Sequence, residues 1–474
     1  MSEFSEILSS AMRDSGLSLR LLAKKSGFDP SLLTRVRSGK SKTQNKEGLS
    51  LLFDALCLSA QKREELENAY VKDIVGEAAY ASHMQVKKLA ESLGRPRTLA
   101  CKLPMPVLPD DVNSVEGLSN VHNLLHTVAE RECGMDDAHL LILSPPQSTF
   151  LAETLALCAA NHPDASITHL FTLRPRPSAD DGLQKGESYN IEFVRAVLPA
   201  LFAGNAYNAY YTYDVDGGLT LLPNIMLSRE YAVCFSSSTE SAIVLRDKEH
   251  LKLLRTLFNK QLAGADMLFK RGMTLQEQME YYTSKYLETA EKSSLYSISW
   301  QPCLLLFLRP SDAEALCADT PEIKQICTMF FTGYQGLVMR RIKNSCFTRE
   351  GLEDFAAHGV LNEIPYGFAQ EFPVAMRRRM LQEMLDKASE GSYVPHVIKA
   401  DKLALPKEAS LSMDENENVS IGTVYAEHGE SNYVLKERTA AAAVAQFIRF
   451  LPEHDWLYSE EESLEIVREV MEKI

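Results

Sequence analysis

The chain has 474 residues with 64 acidic and 50 basic side chains, a formal charge of -14 and 45% hydrophobic content. That length exceeds one ordinary core, so two or three domains are expected, each able to bury its own interior. Nine cysteines stand singly at 57, 101, 133, 158, 234, 303, 317, 327 and 346 with no Cys-x-x-Cys pair, which excludes a zinc ribbon and fits reduced thiols in a cytosol.

The first seventy residues read as five short helices. Phe4, Ile7, Leu8 and Ala11 keep helical spacing up to Gly16. Ser18 caps a second helix that stops at Gly27, and Asp29-Pro30 opens a third that runs to about Arg37 and closes at Gly39. Leu49, Leu52, Phe53 and Leu56 mark a fourth, and Ser59 caps a fifth. A longer helix over 77–93 carries Val86, Leu89, Ala90 and Leu93 on one face, as a contact with a second copy or with its own domain. The proline-rich stretch 95–111 reads as a linker.

Beyond the linker the pattern becomes mixed helix and strand. Helices are expected over 114–132, 149–160, 190–203 and 247–268, with strands at HLLILS, SITHLFTL, AYYTY, YAVCFS and SAIVL. A second passage follows: a strand at CLLLFL, helices over 321–344 and 373–389, strands near 395–399, 408–413 and 419–425, and helices over 437–450 and 460–473. A helix around Gln276 to Ala290 joins the two passages, and no tandem repeat occurs.

Charge is unevenly spread. Residues 1–50 hold nine Lys or Arg against five acids, so the segment is +4 while the rest is -18. Such asymmetry points to a polyanionic partner for the first fifty residues. In LSLRLLAKKSGFDPSLLTRVRSGK, small Ala23 stands where two helices would cross, Gly27 sits in the turn, and Ser38-Gly39-Lys40 closes the second helix. This stretch resembles the phage-repressor-like (Xre/Cro-type) helix-turn-helix family, over residues 4–70 only. The resemblance implies that the second helix enters the roughly 12 Å major groove of duplex DNA. By position, base edges would be met by Pro30, Ser31, Leu32, Thr34 and Arg35, with Arg35 bidentate to guanine and Pro30 and Leu32 offering apolar contact to a thymine methyl. Phosphates would be met by Ser18, Arg37, Lys40, Lys42 and Lys46. Family members commonly bind two-fold related half-sites, so a homodimer on a double-stranded operator is expected.

Elsewhere no chemistry is specified. GxxxxGK[ST], GxGxxG and GxSxG are absent, so no phosphate cradle or nucleophile elbow is expected. DVDGG at 214–218 lacks a Glu at the twelfth calcium-loop position, where Ile225 stands, and reads as a hairpin turn. His122, His126 and Glu130 share a helical face that reads as polar surface rather than a metal site. Arg340, Arg341 and Lys343, like Arg377, Arg378 and Arg379, read as solvated charge. His250 and Lys252 form an HxK with no phospholipase-type Asp following. Tyr207, Tyr211 and Tyr213 fall on one strand face and could wall a small-molecule pocket.

The expectation is therefore a multidomain protein: an all-α helix-turn-helix N-terminal domain followed by two mixed α/β domains. Its bounds are 1–72, a connecting helix and linker over 73–111, and effector domains over 112–272 and 273–474. It reads as a cytoplasmic, non-enzymatic regulator of transcription with no catalytic residue, metal or cofactor. A small-molecule or protein effector would bind its α/β part, and no membrane is involved. The alternative is an enzyme with an appended DNA-binding domain.

Overall fold

The computed structural model describes residues 2–43, 45–94, 113–145, 149–174, 185–204, 206–213, 224–271, 293–312, 341–362, 371–425 and 429–474, with positions 316, 324, 325, 328 and 332. The linker 95–111, the joining helix near 276–290, the DVDGG turn and Arg340 lie outside the described residues. The chain divides into two compact units, Met1–Met84 with Arg449–Leu457, and Gln85–Ile448 with Tyr458–Ile474.

The first unit is helical: α1 (Glu3–Asp14), α2 (Leu19–Ser26), α3 (Pro30–Arg37), α4 (Lys46–Ala55), α5 (Ala60–Val75) and the start of α6 (Glu77–Glu91). Side-chain caps set most of the starts, with the Ser2, Ser18, Asp29, Asn45 and Ser59 side chains accepting backbone N–H groups at the openings of α1 to α5. Gly27 ends α2 with φ at 69°, a left-handed conformation that a side chain would strain. One core gathers Phe4, Leu8, Leu22, Ala23, Leu33, Val36, Leu52 and Leu66. The strap Arg449–Leu457 belongs to this unit, with Leu451, His454, Trp456 and Leu457 buried.

The second unit holds two mixed sheets. The first orders its strands β1 (Ser114–Glu116), β7 (Ser241–Leu245), β6 (Ala232–Phe235), β5 (Asn224–Leu227), β2 (His139–Leu143), β3 (Ser166–Leu173), β4 (Tyr207–Tyr213) and β8 (Asp266–Met267). Only β2, β3 and β4 run parallel, linked through α8 (Thr149–Asn161) and α9 (Lys185–Ala203). Helices α7 (Leu118–Cys133) and α10 (Lys248–Leu262) also pack on this sheet. The second sheet runs β12 (Tyr393–Ile398), β11 (Arg341–Thr348), β10 (Ser293–Ser299), β13 (Ala409–Met413), β14 (Val419–Tyr425), β15 (Gly429–Leu435) and β9 (Phe269–Arg271). Its core is closed by α11 (Arg349–His358), α12 (Val374–Ser389) and α14 (Glu460–Glu472), and α13 (Arg438–Phe450) follows β15. The molecule is thus multidomain, helical at its amino end, with two mixed α/β sheets after it.

Several expected elements are corrected. CLLLFL is no strand: Leu305–Phe307 forms a short 3-10 turn inside a core that also buries Leu304 and Leu308, so a run buried all round lacks the alternation of a strand. The helix expected over 321–344 gives way by Arg341 to strand β11, and that over 247–268 ends at Leu262. Val86, Leu89, Ala90 and Leu93 are fully buried within the chain, so this face of α6 is no free surface for a second copy.

Candidate functional site

Helix α3 is held from one side only. Leu33 and Val36 are 0% and 1% exposed, while Pro30, Ser31, Thr34 and Arg35 are exposed and Leu32 is half-buried against the core. Asp29 organises the leading edge, its Oδ1 accepting from Ser31 N at 2.8 Å, Leu32 N at 3.2 Å and the Ser31 hydroxyl at 2.5 Å. The Ser31 hydroxyl, then those backbone donors, hold the Asp29 carboxyl below its usual pKa. Thr34 donates its hydroxyl to Pro30 O at 2.8 Å. Ser31 and Thr34 therefore keep only acceptor capacity toward a ligand, and Arg35 is the exposed long donor. The Arg35 carbonyl meanwhile accepts from Lys40 N at 2.8 Å and Ser38 Oγ at 3.0 Å, which fixes the turn behind it.

The expected phosphate contacts separate. Ser18 Oγ accepts from Leu21 N at 3.3 Å, Lys40 is exposed and Arg37 is half-buried. Lys42 Nζ donates to the Asp73 carbonyl. Lys46 is engaged within the unit: its Nζ donates to Pro452 O and pairs with Glu453 Oε2 at 3.2 Å, and burial pulls its pKa down against the pull of Glu453.

That pairing is one of a set made by the strap. His83 Nδ1 lies 3.0 Å from His454 Nε2, and His454 stacks on Trp456 with ring centroids 3.9 Å apart. Glu67 is raised to about 6, first by burial and then by Asp455, against the ion pair with Arg63 at 2.8 Å. Burial alone pushes His83 down to about 4. No local signal in the sequence announces the contacts that the strap makes with Lys46, Glu67 and His83, because those partners lie hundreds of positions apart.

In the α/β unit the three tyrosines are not one wall. Tyr207 is buried with its hydroxyl 2.8 Å from His169 Nδ1. Tyr213 donates to Glu437 Oε1 at 2.5 Å, and burial followed by the Glu437 charge pushes its pKa up. Tyr211 lines a cleft of about 780 Å³ together with Asp266, Lys270, Glu417, Lys436 and Arg438, and neither Tyr207 nor Tyr213 is in that lining. Glu437 itself is 0% exposed and accepts from Thr439 N at 3.1 Å and Ala440 N at 2.6 Å, capping α13 between the lining residues Lys436 and Arg438 in the chain.

The other charged groups are structural. His122 is stacked on Phe150 with centroids 3.8 Å apart, and Glu130 meets His162 at 2.9 Å and the Cys158 thiol at 3.5 Å, so that helix face is packed rather than solvated. Among the described residues no group of three or more His, Cys, Asp or Glu is arranged to hold a metal ion. Lys343 is 7% exposed on β11 and Arg379 pairs with Asp312 at 2.6 Å. Arg377 donates to Phe372 O, Ala356 O and Ala357 O. These correct the reading of solvated charge at Lys343, Arg377 and Arg379, while Arg378 is exposed as read. No helix among the described residues is long and apolar enough to cross a membrane.

No protein-family model matches the chain, and no curated protein matches it. Among solved structures it is similar to the crystal structure of polyphosphate kinase from Porphyromonas gingivalis, at 10% identity and TM-score 0.24. The alignment covers 80% of this chain, which spans 60% of that chain's length. The expectation of a sequence-specific transcriptional regulator whose C-terminal region senses a ligand and controls dimerisation finds no support here: the solved structure is an enzyme rather than a regulator, and the likeness is too slight to carry fold or chemistry to this chain.

Proposed function

We propose that this chain is an enzyme-type α/β protein with an appended DNA-binding domain, in which α2, the Gly27 turn and α3 form a helix-turn-helix that docks on duplex DNA. The observation that carries the docking is the face of α3: Leu33 and Val36 fasten it, and Ser31, Thr34 and Arg35 stand exposed on the other side. Such a face fits the major groove, with Arg35 suited to the O6 and N7 of guanine. The place best suited to chemistry is the cleft at Tyr211, where Lys270, Lys436 and Arg438 would receive an anionic substrate and Asp266 offers a carboxylate.

The test is selection of bound fragments from random duplex DNA by the full chain and by Arg35→Ala and Lys40→Ala variants. Arg35→Ala is expected to lose about 1–3 kcal/mol at one base position and relax preference there. Lys40→Ala is expected to weaken all fragments alike and flatten the salt dependence by about 0.9 in log–log slope. Equal binding by all three proteins would overturn the assignment of the DNA face. For the cleft, Lys436→Ala is expected to abolish protection against heat by inorganic phosphate or polyphosphate, and the absence of any such protection in the parent overturns that choice of substrate class.

A further inference from the structure

The strap Arg449–Leu457 packs into the DNA-binding unit and brings acidic side chains to a residue on that unit's basic segment. Lys46 stands at the first position of α4, just after the segment that follows α3. Its ammonium is held from two directions by the strap, by the Glu453 carboxylate at 3.2 Å and by the Pro452 carbonyl, and Asp455 adds a further negative charge nearby. A carboxylate and a carbonyl oxygen on a lysine ammonium are the same kind of partners that a DNA phosphate would supply. The strap backbone is firmly seated, since Leu451 is 0% and Trp456 5% exposed, but the Lys46 and Glu453 side chains are 38% and 35% exposed. Exchange of partners at Lys46 therefore requires only side-chain movement, with the strap left in place.

We propose that Glu453 is an intramolecular competitor for the phosphate backbone, holding Lys46 until a duplex displaces it and so lowering the grip of the amino-terminal unit on DNA. This inference rests on the DNA-binding reading above. A half-exposed pair of this kind is still reached by solvent and weakens with salt, so a phosphate brought close by the rest of the interface can replace the carboxylate. In the chain the strap lies between α13 and α14. Binding of a duplex would release Glu453 to solvent, with no bond made or broken other than hydrogen bonds and ion pairs.

The experiment uses the full chain and a pool of random duplexes of about 30 base pairs, roughly three helical turns. Affinity is measured across salt concentrations for the parent, for Glu453→Gln, and for Glu453→Gln combined with Lys46→Gln. Glu453→Gln is expected to steepen the slope of log K against log[salt] by about 0.9 and to tighten binding about eightfold at 0.1 M salt. Adding Lys46→Gln is expected to remove that gain. If Glu453→Gln binds with the parent's slope and affinity while retaining the parent's melting temperature, the competitor role is overturned and the DNA-binding reading stands. If Glu453→Gln instead lowers the melting temperature and binds no better, the pair serves only to fasten the strap, and the proposal is likewise overturned. Failure of all three proteins to bind any duplex overturns both readings.

Discussion

Acidification should loosen the first sheet through one histidine. His169 is 1% exposed on β3, with Nε2 2.9 Å from the Ser144 carbonyl and Nδ1 2.8 Å from the Tyr207 hydroxyl. A carbonyl can only accept, so Nε2 carries the hydrogen, Nδ1 is the lone-pair nitrogen and Tyr207 donates to it. The neutral ring is thus fully satisfied, and a second proton would place a buried charge there. Burial accordingly pushes His169 down to about 4 from its usual 6.5. Because the folded chain refuses a proton that the unfolded chain accepts below 6.5, this site's contribution is intact above 6.5 and is lost as pH falls toward 4. A difference of about 2.5 in pKa, at 1.36 kcal/mol each, amounts to about 3 kcal/mol over that window. Hydrogen exchange of peptides covering 166–173, corrected for intrinsic rates and read by mass spectrometry at pH 7 and pH 4.5, isolates this sheet from the helical unit. The parent should lose about 2–3 kcal/mol of protection. His169→Gln should begin less stable and lose less. Parallel losses in parent and variant would refute the assignment of acid lability to this ring.

Two further predictions concern the carboxylates of Glu437 and Glu67. Replacing Glu437 with Gln removes the charge from hydrogen bonds donated by Thr439 N, Ala440 N and the Tyr213 hydroxyl, and should lower the α/β unit's stability by on the order of 3 kcal/mol in urea unfolding. An unchanged urea midpoint would show that the cap is dispensable. Glu67, raised to about 6, disfavours the folded helical unit above that pH and ceases to do so as pH falls toward 4.5, the opposite sense to His83 at about 4. Glu67→Gln should therefore make exchange of α5 amides more sensitive to acid between pH 6.5 and 4.5, because only the histidine term is left; equal sensitivity would contradict the opposed pair.

The helical unit was legible because its determinants are local. Ser18, Gly27, Asp29-Pro30, Gly39 and Ser59 act within one turn of where they stand, and the leucine spacing between them reports burial directly. In the second sheet β12, β13 and β14 carried a local strand pattern, but the remaining long strands did not. Strands β10, β11 and β15 read SSLYSIS, RIKNSCFT and GESNYVL, polar sequences whose pairing partners are up to more than a hundred residues away. Lys343 and Ser345 are buried on β11, a strand covered by β10 and β12, so tertiary pairing overrides the polar pattern there. CLLLFL fails in the opposite way, since an apolar run buried on every side is compatible with strand, helix or turn.

The site was legible only as far as charge can be assigned without partners. The +4 of residues 1–50 pointed toward a polyanion, yet the compact unit that contains them closes with thirteen basic and thirteen acidic side chains once residues 51–84 and the strap are included. Net charge therefore gives this unit no long-range attraction for DNA, and any grip must come from where the cations stand. Arg35 and Lys40 are exposed beside α3, whereas Lys46 faces the Glu453 and Asp455 of the strap. It follows that removing exposed acids that make no contact with Lys46, such as Glu64 or Glu65 on α5, should alter duplex binding far less than changing Glu453, since exposed charges that are not in contact are strongly screened at ordinary salt. Were Glu64→Gln to tighten binding as much as Glu453→Gln, the effect would be one of overall charge, and the particular contact at Lys46 would carry no special role.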